Sequence, residues 1–328
     1  MTRSDFGVAP ASARSIPDAV ARLPLPAPCA EACPAGEDVR DWVLALRGGE
    51  DALHAAWQTI VDTNPLPAVL GRICYAPCED ACWRARLDEP VSIRDLERQV
   101  GDRALTEGWA LPDPRPSVGR RVVIVGSGPC GLSAAYHLAR SGHEVVLREA
   151  HSSAGGLLRR GISEARLPKA VLDAEIARIL ALGVQLETRR PVRRVQDAFS
   201  DADGVVWAAG ASMCMALVES KTIWKQPVHA SAGLPSGGVR RRRTATVSVG
   251  HGMRAAEALA AHLAGEPHTA STLPSTSTFP STSTLPSTST FPTAAVRSSP
   301  DDSAALGDIA GIALEASRCL SCRARGTR

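Results

Sequence analysis

Arg121–Val125 is a short β-branched apolar run, and three glycines follow at once in Gly126-Ser127-Gly128-Pro129-Cys130-Gly131. Leu132–Arg140 then has helical spacing, Glu144–Arg148 is a second apolar run of strand length, and Glu149 closes it. Strand, glycine turn, helix and strand in so short a stretch leave few folds open: this is how a doubly wound α/β nucleotide-binding domain begins. In that setting the first glycine makes the tight turn, the second lets backbone approach a pyrophosphate, and the third lets helix and strand pack closely. The N-terminus of the following helix offers N–H groups and a positive dipole end. Glu149, eighteen residues beyond Gly131, is placed to accept both ribose hydroxyls of an adenosine. An acid there repels a 2′-phosphate, so the loop suits FAD or NAD and not NADP. A purely structural turn would use the same glycines; the acid at the strand end sets the two readings apart. A second glycine loop, Gly155-Gly156-Leu157, lies just past the acid and favours FAD, the longer ligand.

The same domain continues with a helix over Val171–Leu182 stopped by Gly183, a strand at Val184–Glu187, and a buried strand Gly204–Ala208 ending in Ala209-Gly210. From Ala211 to Arg243 the pattern dissolves and no element is assigned. Order returns at Val247–Val249 and in a helix over Ala255–Leu263; His251, between Gly250 and Gly252, reads as a turn residue. Residues 271–292 repeat Ser-Thr-Leu/Phe-Pro-Ser-Thr with a period of six. So little apolar surface does not offset backbone ordering, which predicts a disordered, extended tether. A last helix is expected over Asp302–Ala316, ending in Arg318-Cys319-Leu320-Ser321-Cys322.

Upstream, Leu111-Pro112-Asp113-Pro114-Arg115-Pro116 is a stiff linker, since each proline fixes φ and removes a donor. Before it the periodicity is helical. Val39, Val43 and Leu46 form one stripe, ended by Gly48-Gly49; Leu53, Trp57 and Ile60 form another within Asp51–Asp62; Ile93, Leu96, Val100 and Leu105 mark a helix from Ser92 to Glu107. Asn64-Pro65-Leu66-Pro67 forces a turn. The boundaries follow: a lead-in over 1–28, a helical domain over 29–110, the linker at 111–118, the α/β domain over 119–265, the tether over 266–300 and the terminal helix over 301–328.

Nine cysteines run through the 328 residues, and seven fall in tight groups: Cys29 and Cys33; Cys74, Cys78 and Cys82; Cys319 and Cys322. Cys130 and Cys214 lie outside any group; Cys130, inside the glycine loop, reads as small-residue packing. The chain has no continuous apolar stretch near its start and none long enough to cross a membrane, which predicts a cytoplasmic protein. There, clustered cysteines bind metal or do redox chemistry more often than they pair. The formal charge of +3 gives no ground for a nucleic-acid or membrane partner, and Arg240–Arg243 reads as a solvated loop.

In order, these motifs resemble one family. Gly155-Gly-Leu157, Gly161-Ile-Ser-Glu-Ala-Arg166-Leu-Pro168 and Leu182-Gly-Val184 are similar to glutamate synthase small subunits and to the flavin- and iron–sulfur-containing half of dihydropyrimidine dehydrogenase. Thr63-Asn-Pro-Leu-Pro67, Gly71-Arg-Ile-Cys74, Pro77-Cys78-Glu79, Cys82 and Glu89-Pro-Val-Ser-Ile93 resemble the same proteins. The similarity covers about 29–210, 249–265 and 318–322. It implies an α-helical iron–sulfur domain followed by a truncated three-layer Rossmann-type FAD domain.

Carried over by position, the resemblance implies FAD contacts at Gly126, Ser127, Gly128, Pro129, Cys130, Gly131, Glu149, Gly156, Leu157, Arg166 and Val192. It implies two 4Fe–4S clusters, for which thiolates are the natural ligands. The Cys-x2-Cys pair that usually precedes the Cys29 position is absent, and Cys319-Leu-Ser-Cys322 resembles the missing piece. The tail is therefore expected to fold back, with Cys29, Cys82, Cys319 and Cys322 as one set. Cys33, Cys74 and Cys78 form the other, with the fourth ligand at Glu97, where dihydropyrimidine dehydrogenase has a glutamine. A zinc site or inert buried thiols would use the same residues.

The departures matter equally. Relatives insert an NADPH-binding domain after the position of Gly210; here about thirty-five weakly patterned residues stand there, too few for one. The implied function is an FAD- and iron–sulfur-dependent electron-transfer subunit that works with a redox partner subunit, NADPH being doubtful on this chain and no acid–base catalyst being implied. A degenerate, non-enzymatic scaffold is the other reading.

Overall fold

The structure is a computed structural model and describes residues 27–210, 213–218, 229–230, 244–265, 308–320 and 322. Most of the expected lead-in (1–26), the repeat at 271–292 and the residues 302–307 of the expected last helix lie outside these. Helix α1 (Pro28–Ala32) starts at a proline, and Ala27 before it is buried, so the helical domain takes in two residues assigned to the lead-in. Helix α2 (Val39–Ala45) passes through a tight turn to Gly49, whose φ of +72° suits glycine, and α3 (Glu50–Val61) follows as expected. Trp42, Leu46, Leu53, Trp57 and Ile60 all point into one core.

Helix α4 (Pro67–Ile73) was not expected, because Asn64–Pro67 reads only as a turn. Pro67 takes the first helical position, where a missing N–H costs nothing, and Asn64 Oδ1 accepts the Leu66 N–H at 3.0 Å. Helix α5 (Pro77–Asp80) is a single turn, and α6 (Ile93–Glu107) lies across α4. The two backbones nearly touch: a Cβ on Gly71 would lie 2.5 Å from Arg98 Cα, and one on Gly101 2.4 Å from Ala68 N.

Beyond the linker, β1 (Arg121–Val125), β2 (Glu144–Arg148), β3 (Gln185–Glu187) and β4 (Gly204–Gly210) form the parallel part of a sheet with order β3-β2-β1-β4. Val122 pairs with Val145 on one side and Gly204 on the other. Helices α7 (Pro129–Arg140), α8 (Gly156–Arg160) and α9 (Lys169–Leu180) connect the strands. The unassigned region contributes β5 (Met213–Val218), antiparallel to β4, and β6 (His229–Ala230) beyond it. Met-Cys-Met-Ala-Leu-Val has neither period, so pairing to a sheet edge and not local pattern makes it a strand.

Helix α10 (Ala245–Leu263) is continuous, which corrects the expectation of a break and a turn at His251. Gly250 and Gly252 are contact points within it. A Cβ on Gly250 would lie 2.1 Å from Pro34 O, and one on Gly252 2.2 Å from Cys130 O. Backbone contact as close as this outweighs glycine's poor helix propensity. Helix α11 (Ile309–Ser317) is capped by Asp308, whose carboxylate accepts the Gly311 N–H at 2.7 Å.

The two domains share a core that runs from Trp42 to Leu147 and beyond. Glu175 of α9 reaches across to the start of α4 and accepts the Ala68 and Val69 N–H groups at 2.8 and 3.0 Å. Those are among the four donors a helix start leaves unpaired. Tyr136 donates to Val61 O at 2.6 Å, and the Arg178 guanidinium lies 4.8 Å from the Trp57 ring centre. Among the described residues no helix is long and apolar enough to cross a membrane.

Candidate cofactor and cluster sites

The glycine loop is built as its sequence requires. Gly126 has φ +99°, and a Cβ there would lie 2.5 Å from Ala208 O; a Cβ on Gly131 would lie 1.8 Å from Gly126 O. Gly128 alone faces open space, with nothing within 4 Å of an added Cβ. That is the side on which a pyrophosphate would approach, beside the N-terminus of α7. The second glycine loop packs on the first: Gly155 N donates to Ser127 O at 3.0 Å, and a Cβ on Gly156 would lie 2.7 Å from Gly128 Cα. The cradle fits a dinucleotide.

Glu149 sits at the end of β2 as expected, but its lone pairs are engaged. Oε2 accepts the Ser127 N–H at 3.1 Å and the Ser127 hydroxyl; Oε1 accepts the His151 N–H at 2.9 Å and faces His151 Nδ1 at 2.8 Å. Burial alone would raise this carboxyl, yet these hydrogen bonds bring it down to about 2. A ribose there would replace the Ser127 hydroxyl or the His151 ring. Sequence reasoning missed His151, for which no motif stands out. Leu157 is exposed, and Arg166 Nη2 reaches Ile73 O of the helical domain at 3.5 Å. Val192 packs on the apolar cluster of Val123, Val125 and Val146.

Cys29, Cys82, Cys319 and Cys322 line one pocket, together with Arg40 and Trp83. The first two come from α1 and the turn after α5; the others follow α11. Arg47 holds the tail by donating from Nε to Ala316 O at 3.4 Å and from Nη2 to Cys319 O. Arg84 donates to Arg318 O at 3.3 Å, Arg318 donates to Glu89 O at 2.7 Å, and Glu315 accepts the Ser92 N–H at 2.8 Å. Ile312 and Ala316 are buried beneath α11. Burial, then the neighbouring Cys319 and Cys82, push the Cys29 thiol up to about 12. Binding a cation is what draws the proton from a ligand thiol held in this way.

Cys33 ends α1, Cys74 ends α4, Cys78 lies in α5 and Glu97 in α6; the last three are buried. Asn64 Nδ2 bridges Glu97 Oε1 at 2.8 Å and Glu37 Oε1 at 3.0 Å. Burial raises Cys33, Cys78 and Glu97 well above their ordinary values, and Glu37 to about 7. Glu37, Arg47 and Arg84 carried no signal in the sequence, and Asn64 and Arg318 stood there only as parts of a turn and of the terminal motif. Among the described residues no group of three or more His, Cys, Asp or Glu side chains is set to hold a single metal ion.

Residues 25–109 match the model of dihydropyrimidine dehydrogenase domain II, 4Fe–4S cluster, and residues 124–184 match an NAD(P)-binding Rossmann-like domain. The glutamate synthase (NADPH) small chain of Mycobacterium tuberculosis is 37% identical over 196 residues, covering 56% of this chain and 38% of that protein. The NADP(+)-dependent formate dehydrogenase subunit beta of Moorella thermoacetica is 38% identical over 209 residues, 56% of this chain and 29% of its own length. The NAD-dependent dihydropyrimidine dehydrogenase subunit PreT of Escherichia coli is 38% identical over 168 residues, 51% of this chain and 40% of its own. The chain thus spans well under half the length of these relatives, all of which are named as parts of oxidoreductases. Over the helical domain that matches the 4Fe–4S model and the Rossmann-like domain joined to it, the chain is similar to glutamate synthase small chains and PreT-type dihydropyrimidine dehydrogenase subunits.

Proposed function

We propose that the chain is an electron-transfer module which holds FAD against its glycine loops and a 4Fe–4S cluster at each cysteine set, and which serves a separate redox partner subunit. The observation that carries this reading is the meeting of Cys319 and Cys322 with Cys29 and Cys82 in one pocket, across nearly the whole length of the chain. Inert thiols would not need a tail brought back and held by three arginines. When bound, a flavin exchanges electron pairs with a hydride donor and single electrons with iron–sulfur centres. The protein's own part is positional. Gly128 leaves room for the pyrophosphate, Gly156 holds the two loops together, and Glu149 anchors the adenosine ribose once Ser127 or His151 yields a lone pair. The inner cysteines adjoin the FAD domain through α10, while the outer ones line a pocket with the exposed Leu320, where a partner has access.

One observation favours a second reading, a scaffold that no longer binds cofactors: the filled lone pairs of Glu149. The two separate in the UV–visible spectrum of protein purified without oxygen, before and after dithionite. Flavin bands over a broad, bleachable iron–sulfur absorbance support the electron-transfer reading. A colourless protein whose unfolding temperature ignores added FAD supports the scaffold, since a ligand that binds only the folded state must raise it.

A further inference from the structure

The inner cysteine set receives a hydrogen bond from the other domain. Thr246, buried in the first turn of α10, donates its hydroxyl to Cys74 Sγ at 3.1 Å, from 172 residues away in the chain. The same sulfur accepts the Ala76 N–H at 3.3 Å. That second bond depends on Ala76 adopting the left-handed conformation, φ 51°, which is uncommon for a residue with a Cβ.

The geometry explains why this hydroxyl is free to leave its helix. Inside a helix a Thr or Ser hydroxyl bonds back to the carbonyl four residues earlier. Ser248 does so, to Thr244 O at 3.1 Å. Thr246 is the second residue of α10, which starts at Ala245, so it precedes the turn in which such back-bonds begin. Its hydroxyl turns outward, and the helix position is held by Gly250 against Pro34 O, next to Cys33. The Thr244 side chain accepts the Val247 N–H at 3.2 Å and fixes the start of the helix. The donor is therefore buried, held in place and aimed at a sulfur.

Hydrogen bonds to cluster sulfurs are among the factors that set an iron–sulfur potential, because they stabilise the extra negative charge of the reduced form. We infer that Thr246 is a positioning residue of the FAD domain that raises the reduction potential of the inner cluster through its hydrogen bond to Cys74. The inference rests on the proposed function and deepens it. The α10 helix is then a structural link by which the FAD domain adjusts the electron affinity of the cluster beside it.

The test compares T246V, which keeps the shape and removes the donor, with T246S, which keeps the donor. Both are purified without oxygen and titrated with dithionite under EPR, with iron content and circular dichroism recorded alongside. T246V is expected to hold the wild-type iron content and fold, with the reduction equilibrium constant of one cluster lowered between threefold and tenfold; tenfold is about 59 mV for a one-electron couple. The other cluster should not move, and T246S should match the wild type. Unshifted potentials in T246V overturn the inference, as do loss of the cluster from T246V or a T246S titration that follows T246V. Wild-type protein without iron defeats the proposed function and this inference together. Iron-loaded protein whose inner cluster survives C74S defeats this inference alone.

Discussion

The two cysteine sets stand in one small domain and are built in opposite ways. The inner set draws Cys33, Cys74, Cys78 and Glu97 from α1, α4, α5 and α6, and it shares its surroundings with Glu37 and Asn64 in the core. The outer set draws half its sulfurs from the far end of the chain, and arginines on backbone carbonyls, Arg47 exposed and Arg84 and Arg318 half-buried, help to hold it shut. Core packing resists opening until the domain unfolds, whereas polar contacts near the surface contribute little each and open locally. The inner set lies within the folded core; the outer set is completed by a tail that packs Ile312 and Ala316 on that core and ties its end down through polar contacts. A cluster reached by a partner, or inserted late, is better served by the second design.

Several substitutions break or sharpen that contrast. The largest effect is expected from replacing Cys319 and Cys322 together by Ser. Iron content should fall by roughly half, since two clusters of equal size become one, while the EPR signal of the inner cluster survives. Unchanged iron would sink the fold-back assembly.

The next effect comes from the inner side and depends on pH. Burial pushes Glu175 up to about 8, from an ordinary value of 4.5. The folded protein keeps a proton there that the unfolded chain gives up. Stability should therefore fall as pH rises from about 4.5 to about 8, and change no further through this group above that. Glu175→Gln imitates the protonated acid and should remove this dependence. Relative to the variant, the wild type loses up to about 1.4 kcal/mol per pH unit across the window. Thermal unfolding at a series of pH values measures it; parallel profiles for the two proteins would show that Glu175 does not titrate with folding.

Smaller again is Arg47→Ala. It removes two hydrogen bonds from an exposed guanidinium to the tail, worth about 1 kcal/mol together after solvent competition. Iron should leave the outer set about fivefold faster in the presence of a chelator, an effect of that size in equilibrium terms, and leave the inner set at the wild-type rate. Equal acceleration at both sets would mean that they open as one unit. The smallest effect on stability is that of T246V, which removes one hydrogen bond to sulfur and should be read chiefly in the electron affinity of the inner cluster.

Much of this was legible in the chain before any coordinates. Gly126, Gly128 and Gly131 between Val125 and Leu132 admit one local geometry, because each glycine is needed where a Cβ would strike backbone or block a ligand. The stripes of Val39, Trp57 and Leu96 foretold their helices for a similar reason: a period of 3.6 buries one face. The grouping of seven cysteines pointed to metal chemistry, and resemblance paired the tail with Cys29 and Cys82.

Other features were decided only when distant segments met. Residues 245–263 form one helix through two glycines because Pro34 and Cys130 press on it from elsewhere in the fold. Asn64–Pro67 carries the start of α4 because Glu175, more than a hundred residues on, satisfies its N–H groups. Met213–Val218 is a strand because β4 offers it an edge. The engaged lone pairs of Glu149 and the bond from Thr246 to Cys74 are of the same kind. Periodicity and turn chemistry act over a few residues, so a sequence states them outright. Close backbone contact and the pairing of buried polar groups depend on which surfaces face each other, and only the folded chain settles that.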